Sequence, residues 1–130
     1  MIGDMDLVVD VFKEGELGMF YTLVQNNSGG YFLKDKNVDE YVIIEAENLS
    51  QFNLLADKVL ENYREFCFCC GLRWEEYLVD EEDGEKEPMI YGEPVEQFKD
   101  FFSKNSKAII YYLNGEKKIF NLSTRKYECD

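Results

Sequence analysis

Tyr41-Val42-Ile43-Ile44-Glu45-Ala46-Glu47-Asn48-Leu49-Ser50-Gln51-Phe52 holds a strand and the start of a helix in one stretch. The apolar, β-branched run over residues 41–46 reads as the strongest strand of the chain. Asn48 is a good N-cap, and Gln51 three residues on completes a capping-box pattern. Phe52, Leu55, Val59 and Tyr63 then recur on one helical face, with Ala56 and Leu60 beside them. The spacing predicts a helix from about Leu49 to Tyr63, packed on a sheet and burying Leu55.

Working outward toward the N-terminus, Met19 to Val24 is a second strand, apolar on both faces and so expected inside the sheet. Leu7 to Phe12 reads as an earlier strand, broken off by Glu14 to Gly18. Between Val24 and Tyr41 lies Gln25-Asn26-Asn27-Ser28-Gly29-Gly30, a run of turn-formers that would close an extended hairpin. Lys34 to Asn37 looks like an exposed turn.

Toward the C-terminus, Cys67-Phe68-Cys69-Cys70-Gly71 closes the helix, with Gly71 as the turn point, and Trp74 to Val79 can form a strand. Asp80 to Glu85 is a charged loop, and Pro88 to Gly92 a short extended piece. Pro94 sits at a permitted first-turn position, which predicts a second helix over 94–103 with Val95, Phe98, Phe101 and Phe102 inward. Lys107 to Leu113 is a strand, Asn114-Gly115 a strong hairpin signal, and Lys118 to Leu122 the return. Ser123 to Asp130 is polar and expected to fray. The fold class that follows is a single α+β domain over 1–130, a mainly antiparallel sheet of hairpins with two helices packed on it.

Composition narrows function. The chain has 130 residues, 45% hydrophobic and 15% aromatic, enough for a packed core. Its 27 acids against 14 bases give a net charge of −13, which argues against direct nucleic-acid binding and against an anionic membrane surface. The same charge suits a basic protein partner. Nine Tyr and ten Phe supply more apolar area than two helices would cover, which points to a homo-oligomer. The opening residues lack the basic and apolar regions of a signal peptide, and no run is long enough to span a membrane, so a cytoplasmic protein with reduced thiols is expected.

Candidate sites are few. The residues Asn26, Asn27, Ser28, Gly29 and Gly30 form either an ordinary hairpin connection or a nest of backbone N–H groups that accepts an anion. Cys67, Cys69 and Cys70 crowd together with only Cys129 elsewhere and no His, so neither a zinc site nor an activated thiol is expected, and no cofactor. Arg73-Trp74 can pair an anion and stack a planar ring, or it can be a core Trp beside an ion-paired Arg. The Asp80–Glu85 run lacks calcium-loop spacing. No catalytic constellation is visible, so no enzyme is expected.

Four stretches taken together carry a resemblance: Gln25-Asn26-Asn27-Ser28-Gly29-Gly30, Val42-Ile43-Ile44-Glu45-Ala46, Cys67-x-Cys69-Cys70-Gly71-x-Arg73-Trp74, and Pro88-Met89-Ile90-Tyr91-Gly92-Glu93-Pro94-Val95. In order and spacing, over about Tyr21 to Val95, the chain resembles a family of small uncharacterised proteins from tailed bacteriophages. The resemblance implies a phage or prophage origin and action inside a bacterial host, and no established activity. It suggests a non-catalytic counter-defence protein that binds a small anionic or nucleotide-like ligand through Asn26 to Gly30, Arg73, Trp74 and Tyr91. The competing expectation is an acidic interaction protein whose Glu75–Glu87 side blocks a basic, nucleic-acid-binding surface of a host protein.

Overall fold

The computed structural model describes residues 18–27, 30–64, 66–67, 71–99 and 105–128. The expected strand over Leu7 to Phe12, the residues Ser28, Gly29, Cys69, Cys70 and Cys129, and the end of the expected second helix lie outside them. Strands β1 (Met19–Val24), β2 (Tyr41–Ala46), β7 (Lys107–Tyr111), β8 (Lys117–Asn121) and β9 (Lys126–Tyr127) form one five-stranded sheet in the order β1-β2-β7-β8-β9. The β1–β2, β7–β8 and β8–β9 pairs are antiparallel. The central β2–β7 pair is parallel, in a register that sets Tyr41 beside Ala108 and Ile44 beside Tyr111. Two hairpins, β3 (Phe66–Cys67) with β4 (Gly71–Leu72) and β5 (Met89–Ile90) with β6 (Glu93–Pro94), form separate two-stranded sheets. The result is a small α+β fold with a mainly antiparallel, partly mixed sheet.

Both faces of the sheet are covered, which is why β2 reads as a continuous apolar run. On one face Tyr21, Leu23, Val42, Ile44 and Ala46 pack against Phe52, Ala56 and Leu60 of helix α1 (Leu49–Leu60), with Val38 and Trp74 closing the edge. On the other, Phe20, Tyr41, Ile43, Ile110 and Phe120 meet Ile90 and Val95. Helix α1 starts where the sequence places it: the Asn48 side chain accepts the Gln51 amide at 2.9 Å, and the Gln51 side chain accepts the Glu47 amide at 2.6 Å. It ends at Leu60 rather than Tyr63, and the Tyr63 carbonyl instead accepts the Trp74 indole N–H at 3.1 Å. Leu55 is half-buried, so the buried stripe is Phe52, Ala56 and Leu60.

Three further expectations are corrected. There is one long helix among the described residues, not two. Glu93 and Pro94 pair as a strand, and 95–97 make a single turn in which the Pro94 carbonyl accepts the amides of Gln97 and Phe98. The Arg125 guanidinium takes the Phe98 carbonyl at 2.6 Å and the Glu96 carbonyl, so the acceptors that a helix would use are occupied from outside. Val95 and Phe98 still face the sheet, as periodicity requires, because one turn suffices to place them. The Trp74–Val79 stretch is not a strand: Trp74 points into the core and Glu76–Leu78 forms a 3-10 turn. Met19–Val24 is not internal by pairing, because among the described residues β1 is an edge. Its apolar faces are buried by α1 on one side and by Ile90 and Val95 on the other, and residue 85 pairs with Phe20 along that edge.

Three hairpin turns contain a residue at positive φ, the β8–β9 turn through Arg125 at 61°. Gly115 turns β7 into β8 at φ 97°. Tyr91 and Gly92 join β5 to β6 with φ of 51° and 82°, the primed two-residue turn that matches strand twist.

Candidate functional site

The loop after β1 is closed by its own chain. Gln25 is buried, and its side chain makes four hydrogen bonds. Its oxygen accepts the Leu33 amide at 2.7 Å and Arg73 Nη1 at 2.9 Å. Its nitrogen donates to the carbonyls of Asp39 at 2.8 Å and Leu33 at 3.1 Å. Arg73, only 1% exposed, also donates to the Asn26 carbonyl at 3.2 Å and the Tyr31 carbonyl at 3.0 Å, and stacks 4.9 Å from the Tyr31 ring centre. Asn26 returns the contact: its amide donates to the Arg73 carbonyl at 2.8 Å and its side chain to the Leu72 carbonyl at 3.1 Å. Gly30, at φ 87°, donates its N–H to the Asn27 carbonyl at 2.8 Å. A buried guanidinium is stable only when hydrogen-bonded on several sides, and this loop is folded around one.

The structure therefore brings Asn26, Asn27, Gly30 and Arg73 together and separates Trp74 and Tyr91 from them. Trp74 is buried against α1, with its N–H committed to the Tyr63 carbonyl. Tyr91 is 71% exposed at a hairpin tip on the opposite face of the sheet, its ring beside Tyr41 and Phe98.

A second region projects outward. Eight acids and one Lys lie between Glu75 and Glu87. The segment folds as two 3-10 turns, Glu76–Leu78 and Glu81–Asp83, and the second is tied by the Asp80 amide donating to the Asp83 carboxylate at 2.8 Å. Three acids anchor this ridge. Glu81 accepts the Tyr21 hydroxyl at 3.1 Å and the Leu49 amide at the α1 N-terminus at 3.3 Å, where the helix dipole favours negative charge. Burial, reinforced by this carboxylate, raises the Tyr21 pKa. Glu76 pairs with Arg64 at 2.6 Å, and Arg64 also reaches Asp57 at 2.8 Å. The Glu85 backbone exchanges two hydrogen bonds with Phe20, at 2.7 and 2.9 Å. With the ridge so fixed, Tyr77 (66% exposed) and Leu78 (62%) stand out among the remaining carboxylates. Beside them a groove of about 400 Å³ runs between the ridge and the Leu49-Asn53-Asp57 side of α1.

The model of a family described as "Domain of unknown function (DUF7296)" matches residues 18–127. The chain belongs to the DUF7296 family. No curated protein and no solved structure matches it. Both the closed loop and the acidic ridge fall within the span that matches DUF7296. No helix among its described residues is long and apolar enough to cross a membrane, and no group of three or more metal-ligating side chains converges among them.

In this DUF7296 member, sequence reasoning singled out the charge of the ridge and passed over its apolar points. Glu76-Tyr77-Leu78-Val79 does carry a signal: three apolar residues inside an acidic run are candidates for core or contact, and only Val79 turns inward. Tyr31 and Gln25 were also missed as the partners of Arg73. Gln25 offers one cue, a polar residue closing an apolar strand.

Proposed function

We propose that this protein is a non-catalytic docking protein whose Glu75–Glu87 ridge binds a basic surface of a partner protein. The observation that carries the reading is the exposure of Tyr77 and Leu78 within a rigidly anchored acidic segment. Apolar anchors surrounded by charge supply affinity at the centre of an interface, while the charges steer and orient the partner. The partner that fits is a Lys/Arg-rich surface with an apolar recess for an aromatic ring, a combination common on nucleic-acid-binding proteins. The bacteriophage-like motifs make a bacterial host protein the natural source of that surface.

The ligand reading, through Asn26 to Gly30, Arg73, Trp74 and Tyr91, has less support. Its cation is buried within its own loop, and its two rings lie on opposite faces of the sheet. The test is photo-crosslinking in the host from a reactive residue placed at Tyr77, with a second placed at Lys126 as control. The expected product is a basic protein crosslinked from position 77 only. It should be lost when Glu75, Glu82 and Glu87 are changed to Lys, residues whose side chains make no bonds to the scaffold among the described residues. Equal crosslinking from both positions, or a product that survives charge reversal, would refute the reading.

A further inference from the structure

At the other end of β2 from the ridge, an open cleft of about 580 Å³ is lined by Lys34, Lys36 and Lys107. Three ammonium groups gathered from two distant segments are unexpected in a chain with a net charge of −13. We propose that this cleft binds a phosphate monoester of sugar-phosphate size, held through its phosphoryl group by Lys34 and Lys36. This site is separate from the ridge and does not depend on its function.

Three carboxylates share the cleft, and each has a role already. Glu128 pairs with Lys107 at 2.6 Å. Asp35 accepts the Tyr63 hydroxyl at 2.6 Å and the amides of Asn37 and Val38, bonds that hold the turn carrying Lys34 and Lys36. Asp39, 2% exposed, accepts the amides of Glu40 at 2.8 Å and Lys107 at 3.0 Å, and so joins the start of β2 to the start of β7. Burial is the largest influence on its carboxyl and raises its pKa, against the opposing pull of those two amides, Lys34 and Lys107. Among the described residues Lys34 makes one long contact, 3.3 Å to the Asn105 carbonyl, and an ammonium has three donors.

Two flexible point charges suit a dianion, and lysine is a common phosphate binder. The cleft is in the range of small-molecule sites and much larger than a bare phosphate requires. Ile119 gives it an apolar wall, and the rim carboxylates of Asp35 and Glu128 can accept sugar hydroxyls.

The test is an NMR titration of the labelled protein with ribose 5-phosphate, inorganic phosphate and ribose. Ribose 5-phosphate should shift the amides of Lys34 to Asp39 and Ser106 to Lys107 saturably. Inorganic phosphate should bind at least tenfold more weakly, and ribose should have no effect. The double change Lys34→Ala with Lys36→Ala should weaken ribose 5-phosphate binding at least tenfold, with an unchanged melting temperature. Lys58→Ala, on α1, should leave it unaltered. Lys34→Gln with Lys36→Gln, which keeps the length of the side chains closer to native, should reproduce the loss. No saturable shift at these amides, or binding indifferent to either double change, would overturn the site. Inorganic phosphate binding as tightly as ribose 5-phosphate would overturn its assignment to an ester.

Discussion

The loop around Arg73 and the ridge that begins two residues later use polar side chains in opposite ways. In the loop, charge is turned inward: one guanidinium gathers Gln25, Asn26 and Tyr31, and the bonds organise the backbone between β1 and β2. In the ridge, a few acids are used as anchors, through Glu76 and Glu81, and the rest face solvent beside Tyr77 and Leu78. A charged residue next to an aromatic one thus has two meanings in a single stretch of chain. Arg73-Trp74 is scaffold, and Glu76-Tyr77 is presented surface. What separates them is whether the aromatic neighbour is buried in the core, as Trp74 is, or left exposed, as Tyr77 is.

This contrast predicts where substitutions act. The largest effect should come from Arg73→Ala, which leaves the Gln25 oxygen and two backbone carbonyls without their buried donor. We expect a loss of about 3 kcal/mol or more, read from the denaturant midpoint. A loss under about 1 kcal/mol would mean that the loop is not held by this residue. Next, the triple change of Glu75, Glu82 and Glu87 to Lys should weaken partner binding at least tenfold in moderate salt, about 1.4 kcal/mol by the usual conversion. Its stability should stay within about 0.5 kcal/mol of the parent. A ridge variant that unfolds would erase the distinction between the two regions.

Gly30→Ala should cost about 1 kcal/mol, from its positive φ alone, since a Cβ there meets nothing within 4 Å. The smallest effect is a pH slope. Asp39, whose backbone carbonyl accepts the Gln25 amide, has a carboxyl pKa raised chiefly by burial, against the opposing pull of the Glu40 and Lys107 amides and the nearby lysines. The folded state therefore keeps this proton to higher pH than the unfolded one. The stabilising contribution is full below about pH 4, the ordinary Asp value, and declines as pH rises through the raised folded value. Unfolding measured from pH 4 to 7 should show parent stability falling relative to Asp39→Asn. A difference that rises with pH would contradict the burial.

Much of the scaffold was legible locally. The β2 run, the Asn48 cap and the Asn114-Gly115 turn each act within a few residues, and each appears where its chemistry places it. Three features were not legible for the same physical reason, that distant partners decide them. Val95 and Phe98 have helical spacing, but one turn meets the same need once Arg125 occupies the carbonyls. Trp74 has strand neighbours, yet its indole is drawn to the end of α1. Arg73 looked available to a ligand because nothing near it in sequence reveals Gln25 and Tyr31 as its acceptors. Of the candidate site, the acidity of the ridge was readable and its apolar tip was not, since exposure is a property of the assembled surface.

The parallel join of β2 to β7 sets the timing of folding. The β1–β2 and β7–β8 hairpins contain mostly local contacts and can zip early, on the microsecond scale of such elements. Uniting them requires Tyr41 to meet Ala108, with α1, the ridge and the β5–β6 hairpin enclosed in the loop between. Closing that loop costs entropy before any central contact forms, which makes this pairing the natural late step. On a growing chain, the open edge of β2 must wait until β7 has left the ribosome. During that interval an apolar strand edge, harmless in the finished sheet, is the part of the chain most prone to pair with the wrong neighbour.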